Sequence, residues 1–131
     1  MTICFDTHAW LWLHFAPERL SAAARAAIAD PANTLLLSAV VPWEMAIKHR
    51  AGKLRFQRPF VESLRRMAAA VAVTPLPIEE RHACQVADLP LHHRDPFDRI
   101  LIAQAQVEGL TILTADPEFR RYEVDLLPAE A

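Results

Sequence analysis

Glycine is almost absent from this sequence, which has only two, Gly52 and Gly109, among 131 residues. Phosphate-binding loops of nucleotide enzymes need several glycines at fixed spacing, because the backbone has to approach the phosphates closely. Neither the GxGxxG pattern nor the P-loop pattern occurs here. The scarcity of glycine therefore disfavours enzymes that depend on a nucleotide cofactor.

Cysteine and long apolar runs are scarce as well. Cys4 and Cys84 form no CxxC pair and no disulfide framework, which is typical of a reducing compartment. The first residues lack the basic start and the apolar run of a signal peptide. The longest apolar run, residues 35–43, is interrupted by Pro42 and is too short to span a bilayer. These features predict a cytoplasmic protein without a membrane partner.

Neither sign of charge is in large excess, since 14 basic and 16 acidic side chains give a formal net charge of −2. Such a chain is not a polycationic nucleic-acid coat, and it must bind any polyanion locally, by a patch or through a metal ion. Hydrophobic residues make up 53% of the sequence, which excludes a disordered chain. The length predicts a single domain over residues 1–131 with a substantial core.

Short apolar segments that favour strands alternate along the chain with segments that favour helices. Strands are predicted over residues 3–5, 34–38, 71–73, 110–113 and 124–127. Helices are predicted over residues 9–15, 22–29 with Ser21 as N-cap, 40–51, 59–67, 78–87 and 96–108. This alternation indicates an α/β fold, with a parallel sheet covered by helices on both faces.

The clearest local signals lie in residues 95–119. Pro96 opens a helix and Gly109 ends it, in agreement with the usual chemistry of helix starts and stops. Asp98 lies on this helix at helical spacing from apolar side chains, and burying a carboxylate without a partner is costly. The strand that follows brings a second carboxylate, Asp116, into the turn at its C-terminal end. Open α/β sheets place their ligands at that end of their strands.

Two further carboxylates follow the same pattern. Asp6 comes directly after the first predicted strand. Glu44 shares with Val40, Ile47 and Ala51 the helix face that is predicted to be apolar. If the sheet is parallel, all four carboxylates can converge at one of its ends.

Each carboxylate also has a local explanation. Asp6 can cap the helix that follows it, and Asp116 can shape a turn. Asp98 can complement the positive end of its helix, which is worth typically ~0.3–1 kcal/mol. Glu44 can pair with Lys48 one helical turn away. These local roles weaken the inference from any one acid taken alone.

Four converging carboxylates need a counter-charge. Two of them ~4 Å apart repel by ~4 kcal/mol at an effective dielectric of ~20, and four without compensation would raise their own pKa values. A divalent cation removes this difficulty, and oxygen ligands with retained waters suit Mg²⁺ or Mn²⁺ rather than zinc. Such an ion can activate water and neutralise the charge of a displacement at phosphorus. Acidic metal clusters of this kind recur in nucleases.

Four blocks of the sequence resemble the PIN domain family in its VapC-type toxin branch. The blocks are FDTHAWLW, SAVVPWEMAIKHRAGKL, HHRDPFDRILIAQA and ILTADPEF. Together, in this order and spacing, they are far more specific than any one of them, and the resemblance extends over residues 3–127. It implies a PIN-like three-layer α/β/α fold with a central, mostly parallel sheet of four to five strands, formed by a single domain.

The resemblance further implies a metal-dependent endoribonuclease and assigns its site. The acids carried over as catalytic and metal-binding residues, with Mg²⁺ or Mn²⁺ as the ion, are Asp6, Glu44, Asp98 and Asp116. The residues assigned to support these ligands or to position the substrate are Thr7, Asp95, Arg99 and Thr114. Matching the helix favours Asp98 as the ligand and leaves Asp95 as a helix cap or a neighbour of the ligands.

The resemblance also implies partners. The substrate would be RNA (tRNA, rRNA or mRNA), cleaved to 5′-phosphate and 3′-hydroxyl ends. A cognate VapB-type antitoxin would cover the acids with its C-terminal segment, and the chain would form a homodimer. The predicted helix over residues 9–15 is apolar almost all round, which is compatible with a subunit interface at Trp10, Trp12 or Phe15.

Other functions remain as alternatives. One is a PIN-like binding module that has lost catalysis. Another is a phospho-acceptor signalling domain, which needs a lysine just after a late strand, whereas the two lysines here are Lys48 and Lys53. A haloacid-dehalogenase phosphatase needs a second aspartate where this chain has His8. No histidine spacing indicates zinc, and His92 and His93 are predicted to form a solvated loop.

Overall fold

The computed structural model describes residues 1–130 of the chain. The strands are β1 (Thr2–Phe5), β2 (Thr34–Ser38), β3 (Thr74–Leu76), β4 (Thr111–Thr114) and β5 (Asp125–Pro128). The helices are α1 (Thr7–Phe15), α2 (Ala22–Ala29), α3 (Val40–Arg50), α4 (Phe60–Val71), α5 (Glu80–Gln85) and α6 (Pro96–Glu108). Short 3₁₀ turns occupy Pro17–Arg19, Val86–Asp88 and Pro117–Arg121. Within residues 1–130, no helix combines the length and the apolar character that a bilayer crossing requires.

All five strands run parallel in one sheet, in the order β3-β2-β1-β4-β5. The predicted α/β class and the parallel sheet are thereby confirmed. Strand β1 lies between β2 and β4, with Ile3 opposite Leu35 on one side and Thr111 on the other. The residues that follow β1 and β4 therefore emerge side by side at the same edge.

The direction of the chain reverses across the sheet. From β1 it moves outward to β2 and β3 through α2, α3 and α4, and it then returns through α5 and α6 to β4 and β5. Because crossovers between parallel strands are right-handed, the two runs place their helices on opposite faces of the sheet. The reversal makes the carboxyl ends of β1 and β4 a topological switch point, where open α/β sheets form their binding crevice.

The two central strands are buried on both faces. Ile3, Cys4 and Phe5 of β1 and Ile112 and Leu113 of β4 have no exposed surface. Strands covered on both sides are continuous apolar runs, which explains the lack of alternation in these segments. Each large side chain that is fully buried contributes ~1.5–3 kcal/mol. The strands that carry the switch point are thus anchored in the core on both faces.

The strand predicted over residues 71–73 is wrong. Helix α4 continues to Val71, Ala72 ends it with a left-handed backbone at φ 57°, and the strand is β3, Thr74–Leu76. The alanines of residues 68–70 favour a longer helix, because alanine loses no side-chain entropy there. Pro75 argues against a strand when the sequence is considered alone, because proline cannot donate a hydrogen bond to a neighbouring strand. Proline is nevertheless tolerated in an edge strand such as β3.

Boundaries that rest on capping residues are confirmed. The Ser21 hydroxyl accepts a hydrogen bond from the Ala24 N–H at 3.0 Å, and Gly109 ends α6 with φ 68°. Strand β2 spans the predicted residues. The helix predicted over residues 78–87 is shorter, since α5 ends at Gln85 and the chain tightens into a 3₁₀ turn.

Helix α1 is partly buried within its own chain, since Thr7, Ala9 and Trp10 are buried and residues 11–14 are half-buried. Trp10 is 1% exposed and meets the ring of Phe5 edge-on, with 5.2 Å between centroids. The guanidinium of Arg19 lies 4.1 Å from the ring centroid of Trp12. Of the three aromatic residues proposed for a subunit interface, Phe15 alone is largely exposed, at 57%. Trp10 is therefore unavailable to a partner, and the homodimer stays a prediction.

Candidate metal centre

The four predicted acids all follow the carboxyl edge of the sheet. Asp6 comes directly after β1, and Asp116 comes two residues after the end of β4. Glu44 lies in the second turn of α3, the helix that follows β2, and Asp98 lies in the first turn of α6. Because the sheet is parallel, these positions lie at the same end of it, as expected from the sequence.

The charge of Asp98 is affected by the other acids. Burial is the largest of the causes that together raise the pKa of Asp98 to about 8, and the charges of Asp95, Asp6, Asp116 and Glu44 are the smaller ones. Its side chain is 21% exposed. Both causes act in the direction that disfavours the charged form of the Asp98 side chain.

Asp6 is the most deeply buried of the four acids, at 4% exposure. Burial raises its pKa, and the charge of Asp116 acts in the same direction. Its Oδ1 accepts a hydrogen bond from the Ala9 N–H at 2.7 Å, and its Oδ2 accepts one from the Thr114 hydroxyl. These two bonds oppose the rise and fix the orientation of the carboxylate.

Thr114 couples the acids of the two central strands. Its hydroxyl donates to Asp6 and accepts a hydrogen bond from the Asp116 N–H at 3.0 Å. Thr114 is itself buried, at 4% exposure. The spacing of Asp6 and Asp116 is thus set by a buried threonine rather than by flexible side chains, and the role of Thr114 in supporting metal ligands stays a prediction.

Glu44 is held differently from the sequence expectation. Ile47 is 49% exposed and Ala51 is exposed, so Val40 alone is buried on the face that was assigned to Glu44; the other buried residues of α3 are Val41 and Met45. The error arose because a helix with apolar residues on several sides has no unique apolar face. Glu44 is nevertheless only 15% exposed in its side chain.

Two neighbours cover the carboxylate of Glu44. The Thr7 hydroxyl donates to its Oε1 at 2.7 Å, and the ammonium of Lys48 lies 3.3 Å from its Oε2. Thr7 thereby links the start of α1 to α3, beside Asp6. The predicted pairing with Lys48 is confirmed. The ion pair with Lys48 does not prevent Glu44 from lying near the other acids. Pairing with Lys48 and binding a metal ion are therefore not alternatives for this residue.

Asp95 and Asp116 both cap the segments that follow them. The carboxylate of Asp95 accepts hydrogen bonds from the Phe97 and Asp98 N–H groups at 2.9 and 3.2 Å. The carboxylate of Asp116 accepts one from the Glu118 N–H at 2.9 Å. Asp95 uses one oxygen for capping and is exposed, whereas the side chain of Asp98 is 21% exposed and its pKa is raised in part by the charges of the other acids.

A histidine that the sequence placed in a solvated loop contacts the site. The Nε2 atom of His93 lies 3.4 Å from Oδ2 of Asp98, and its side chain is 15% exposed. Its Nδ1 atom lies 2.7 Å from the hydroxyl of Tyr122, which is 6% exposed. The prediction for His93 is therefore wrong, because a partner 29 residues away holds the loop against the protein.

The hydrogen bonds of Tyr122 fix which nitrogen of His93 carries the proton. The tyrosine oxygen accepts from the His93 N–H at 3.3 Å and from the Arg99 guanidinium at 3.1 Å. With both lone pairs used, its single proton is left for Nδ1 of His93. Nδ1 therefore accepts, and the ring proton lies on Nε2, where it faces the Asp98 carboxylate. His93 orients Asp98 through this chain of contacts.

Arg99, predicted to position the substrate, is engaged inside the protein. Its guanidinium donates to the carbonyl oxygen of Pro90 at 2.8 Å as well as to Tyr122. These bonds tie the loop that precedes α6 to the turn that follows β4. In this arrangement Arg99 supports the position of His93, and a contact with RNA stays a prediction.

The tightest cluster of ligand atoms among residues 1–130 lies elsewhere. It comprises Glu79, His82 and Glu108, whose ligand atoms are within 4.8 Å of one another. His82 accepts from the Glu79 N–H through Nδ1 and contacts Glu108 through Nε2, while Arg81 bonds to both glutamates. The protein itself therefore satisfies these groups, and the cluster fastens α5 to α6.

The predicted quartet is more open than that cluster. Among the described residues, no three of its carboxylates place oxygens within 4.8 Å of one another. Mg²⁺ demands near-ideal octahedral geometry, keeps several waters, and is usually bound by one or two carboxylates directly. Carboxylate oxygens spaced in this way are compatible with an ion that keeps part of its water shell.

Comparisons with known proteins identify relatives that match nearly the whole chain. Residues 3–125 match the PIN domain family. The sequence is 29% identical over 124 residues to Ribonuclease VapC22 from Mycobacterium tuberculosis (strain H37Rv), with 92% of each chain covered. The fold is similar to VapBC2 from Rickettsia felis bound to a DNA fragment from their promoter, with a TM-score of 0.74, 14% identity, and 97% of this chain and 98% of that chain covered.

A second solved structure gives the same result for the fold. DNA-bound VapBC from Salmonella typhimurium has a TM-score of 0.67 at 13% identity, and 97% of each chain is covered. At such low identity the likeness concerns the fold alone. The PIN-like three-layer architecture expected from the sequence blocks is thereby confirmed.

Proposed function

Because the chain belongs to the PIN domain family, we propose that it is a metal-dependent endoribonuclease, the toxin of a type II toxin–antitoxin pair. The observation that supports the proposal is the placement of four carboxylates along the carboxyl edge of the sheet, where burial, and to a smaller extent the charges of neighbouring acids, raise the pKa of Asp98 to about 8. The name of the relative Ribonuclease VapC22 supports the activity. The substrate would be tRNA, rRNA or mRNA in the cytoplasm.

The residues fit a divalent cation such as Mg²⁺ or Mn²⁺. The donors are carboxylate oxygens, and the pKa values of Asp98 and Asp6 are raised rather than lowered. In the proposed complex, Asp6, Glu44, Asp98 and Asp116 would hold the ion. When bound, it would supply charge neutralisation and a more acidic water at the scissile phosphate.

The protein's own groups would do the positioning. Thr114 would keep Asp6 and Asp116 at a fixed separation, and Thr7 would keep Glu44 beside them, so that the ligands need not reorganise during the reaction. A water oxygen forms a bond to phosphorus while the bond from phosphorus to the RNA 3′-oxygen breaks. A carboxylate of the cluster accepts the proton of the attacking water, and the departing 3′-oxygen takes up a proton from a second water molecule. The products are a 5′-phosphate and a 3′-hydroxyl.

Removal of the metal tests this proposal. The purified protein is expected to cleave single-stranded RNA with Mg²⁺ or Mn²⁺ and to lose all cleavage in EDTA, because the uncompensated carboxylates repel the phosphate. Restoring the ion should restore the activity. The measurement is gel analysis of an end-labelled RNA, with enzymatic assignment of the new ends. Metal binding without any cleavage of total cellular RNA would instead favour the inactive binding module.

Disruption of the His93 contact is expected to weaken metal binding by about 10- to 100-fold, because partners that orient a ligand contribute this much to affinity. The variant is His93→Ala, and the measurement is a calorimetric titration of the RNA-free protein with Mn²⁺. Tyr122→Phe should act in the same direction, since it removes the hydroxyl that fixes the His93 tautomer.

The neighbouring His92 provides the matched control. Its ring packs edge-on against Tyr122 with 4.9 Å between centroids, without a hydrogen bond to Asp98. His92→Ala should leave the Mn²⁺ affinity unchanged. Equal losses in His92→Ala and His93→Ala would mean that the loop matters only for packing.

A VapB-type antitoxin and a homodimer complete the proposed assembly. The structural neighbours named VapBC support the partner, because they are complexes of two proteins. The proposal places the whole activity in a single PIN domain over residues 1–131. If a short open reading frame for a small DNA-binding protein lies just upstream, co-expression with its product should yield a complex in which RNA cleavage is suppressed. Light scattering of the toxin alone should give twice the chain mass.

A further inference from the structure

Basic side chains are concentrated in one segment of this weakly acidic protein. Residues 48–66, here called the basic arm, contain seven of the fourteen lysines and arginines but only one of the sixteen acidic residues, Glu62. The remainder of the chain has seven basic and fifteen acidic side chains. A polyanion approaching the protein is therefore attracted at the basic arm and repelled over most of the remaining surface.

The basic arm begins at the acid cluster and leads away from it. Lys48, its first residue, lies 3.3 Å from Glu44. Both α1 and α3 start at the carboxyl edge of the sheet and run away from it, and the two helices contact each other. The nine residues of α1 span roughly 13 Å at 1.5 Å each, so Phe15 lies about that far from the acids.

Aromatic contacts hold the middle of the arm against the far end of α1. The ring of His49 stacks on Phe60 with 4.9 Å between centroids, and Phe60 contacts Phe56 at 5.8 Å. Phe56 in turn lies 5.9 Å from Phe15. The loop between α3 and α4 thus has a defined place, although it has no regular secondary structure.

A groove of about 380 Å³ lies at this junction. Its lining includes Phe15, Arg55, Phe56, Arg58 and Arg66. Arg58 and Arg66 share a single carboxylate, that of Glu62, at 3.3 and 3.4 Å. Arg55 is exposed and has no ion pair among residues 1–130. The groove therefore combines an uncompensated guanidinium with the exposed ring of Phe15.

We propose that the basic arm binds the RNA strand beside the scissile phosphate, and that the groove holds one nucleotide of that strand. The Arg55 guanidinium contacts a backbone phosphate, and the Phe15 ring stacks on a base. Arginine binds phosphate through charge-assisted hydrogen bonds, and base stacking on an aromatic ring tolerates any base. This inference rests on the proposed function, because it assumes that RNA is the polyanion.

The test is the affinity for a fluorescent single-stranded RNA, measured in EDTA at several salt concentrations so that no cleavage intervenes. Arg55→Glu is expected to weaken binding at low salt. It should also reduce the slope of log K against log salt by about 0.7 for each phosphate that the variant no longer neutralises. Phe15→Ala should weaken binding about fivefold or more at an unchanged slope, since stacking is not ionic.

Arg25→Glu is the matched control, because Arg25 on α2 is also exposed and has no ion pair among the described residues. It carries the same charge change and should leave the salt slope unaltered. Thermal melting of each variant identifies misfolded protein. Equal effects of Arg25→Glu and Arg55→Glu on the slope would overturn the proposal. So would a loss of antitoxin binding by Arg55→Glu at an unchanged affinity for RNA.

Measuring binding without metal separates this inference from the proposed catalysis. If the protein never cleaves RNA but Arg55→Glu still lowers affinity and slope, the basic arm is an RNA-binding surface and the catalytic proposal fails alone. If the protein cleaves RNA while Arg55→Glu and Phe15→Ala bind it as the native chain does, the inference about the arm fails alone.

Discussion

Replacement of Asp6 or Asp98 by asparagine is expected to lower the rate of RNA cleavage by about 10³-fold or more without loss of the fold. Asparagine keeps the shape of the side chain but removes the charge that would hold the cation. A loss of 10³-fold corresponds to ~4 kcal/mol of transition-state stabilisation. The rate is measured by single-turnover cleavage at saturating Mg²⁺, and the fold by circular dichroism and melting.

Asp95 supplies the control for this experiment. It lies three residues before Asp98, it is exposed, and it serves as the N-cap of α6. Asn is as good an N-cap as Asp, so Asp95→Asn should retain cleavage close to that of the native chain. A strong loss of cleavage in Asp95→Asn together with normal cleavage in Asp98→Asn would mean that Asp95 is the metal ligand and that Asp98 is not. Full activity in both Asp6→Asn and Asp98→Asn would end the nuclease proposal.

Asp98→Asn is also expected to make the metal-free protein more stable at pH 8, by several degrees in melting temperature. Burial and neighbouring acids raise the pKa of Asp98 from 3.8 in the unfolded chain to about 8 in the folded one. Between these values the folded chain holds a proton that the unfolded chain has released. A rise in pH through this window therefore lowers the stability of the native protein. Asparagine does not titrate and avoids this loss.

The pH dependence distinguishes this effect from a change in packing. The difference in melting temperature between Asp98→Asn and the native chain, both in EDTA, should be small near pH 4 and grow toward pH 8. Mg²⁺ should raise the melting temperature of the native chain, since a ligand that binds only the folded state stabilises it. It should have much less effect on Asp98→Asn. A constant difference across the pH range would refute the electrostatic account.

Much of the fold follows from short-range rules in this sequence. The capping by Ser21, the stop at Gly109 and the apolar run of β2 each depend on a few neighbouring residues, and each is found where it was expected. The alternation of strands and helices then leaves few topologies, because parallel crossovers have one hand. Strand β3 was not predicted because Pro75 disfavours a strand, and proline is acceptable only where the strand lies at the edge of a sheet. The sequence alone does not show which strand lies at the edge.

The contacts around the acids could be predicted only in part. Thr114 was found because it stands two residues from Asp116, within one sequence block. The contact of His93 with Tyr122 joins two loops 29 residues apart, and no periodicity or capping rule connects them. The pair of histidines shortly before the N-cap of α6 was the available signal. It could not distinguish a ring facing solvent from one facing Asp98.

The hydrogen bond between Thr114 and Asp6 spans 108 residues of chain. A polypeptide leaves the ribosome N-terminus first, at about 5–20 residues per second, so Asp6 emerges roughly 5–20 s before the residues that complete its surroundings. In the proposed nuclease, the nascent chain would therefore lack part of its acid cluster until translation is nearly finished, and it would not cleave RNA before then.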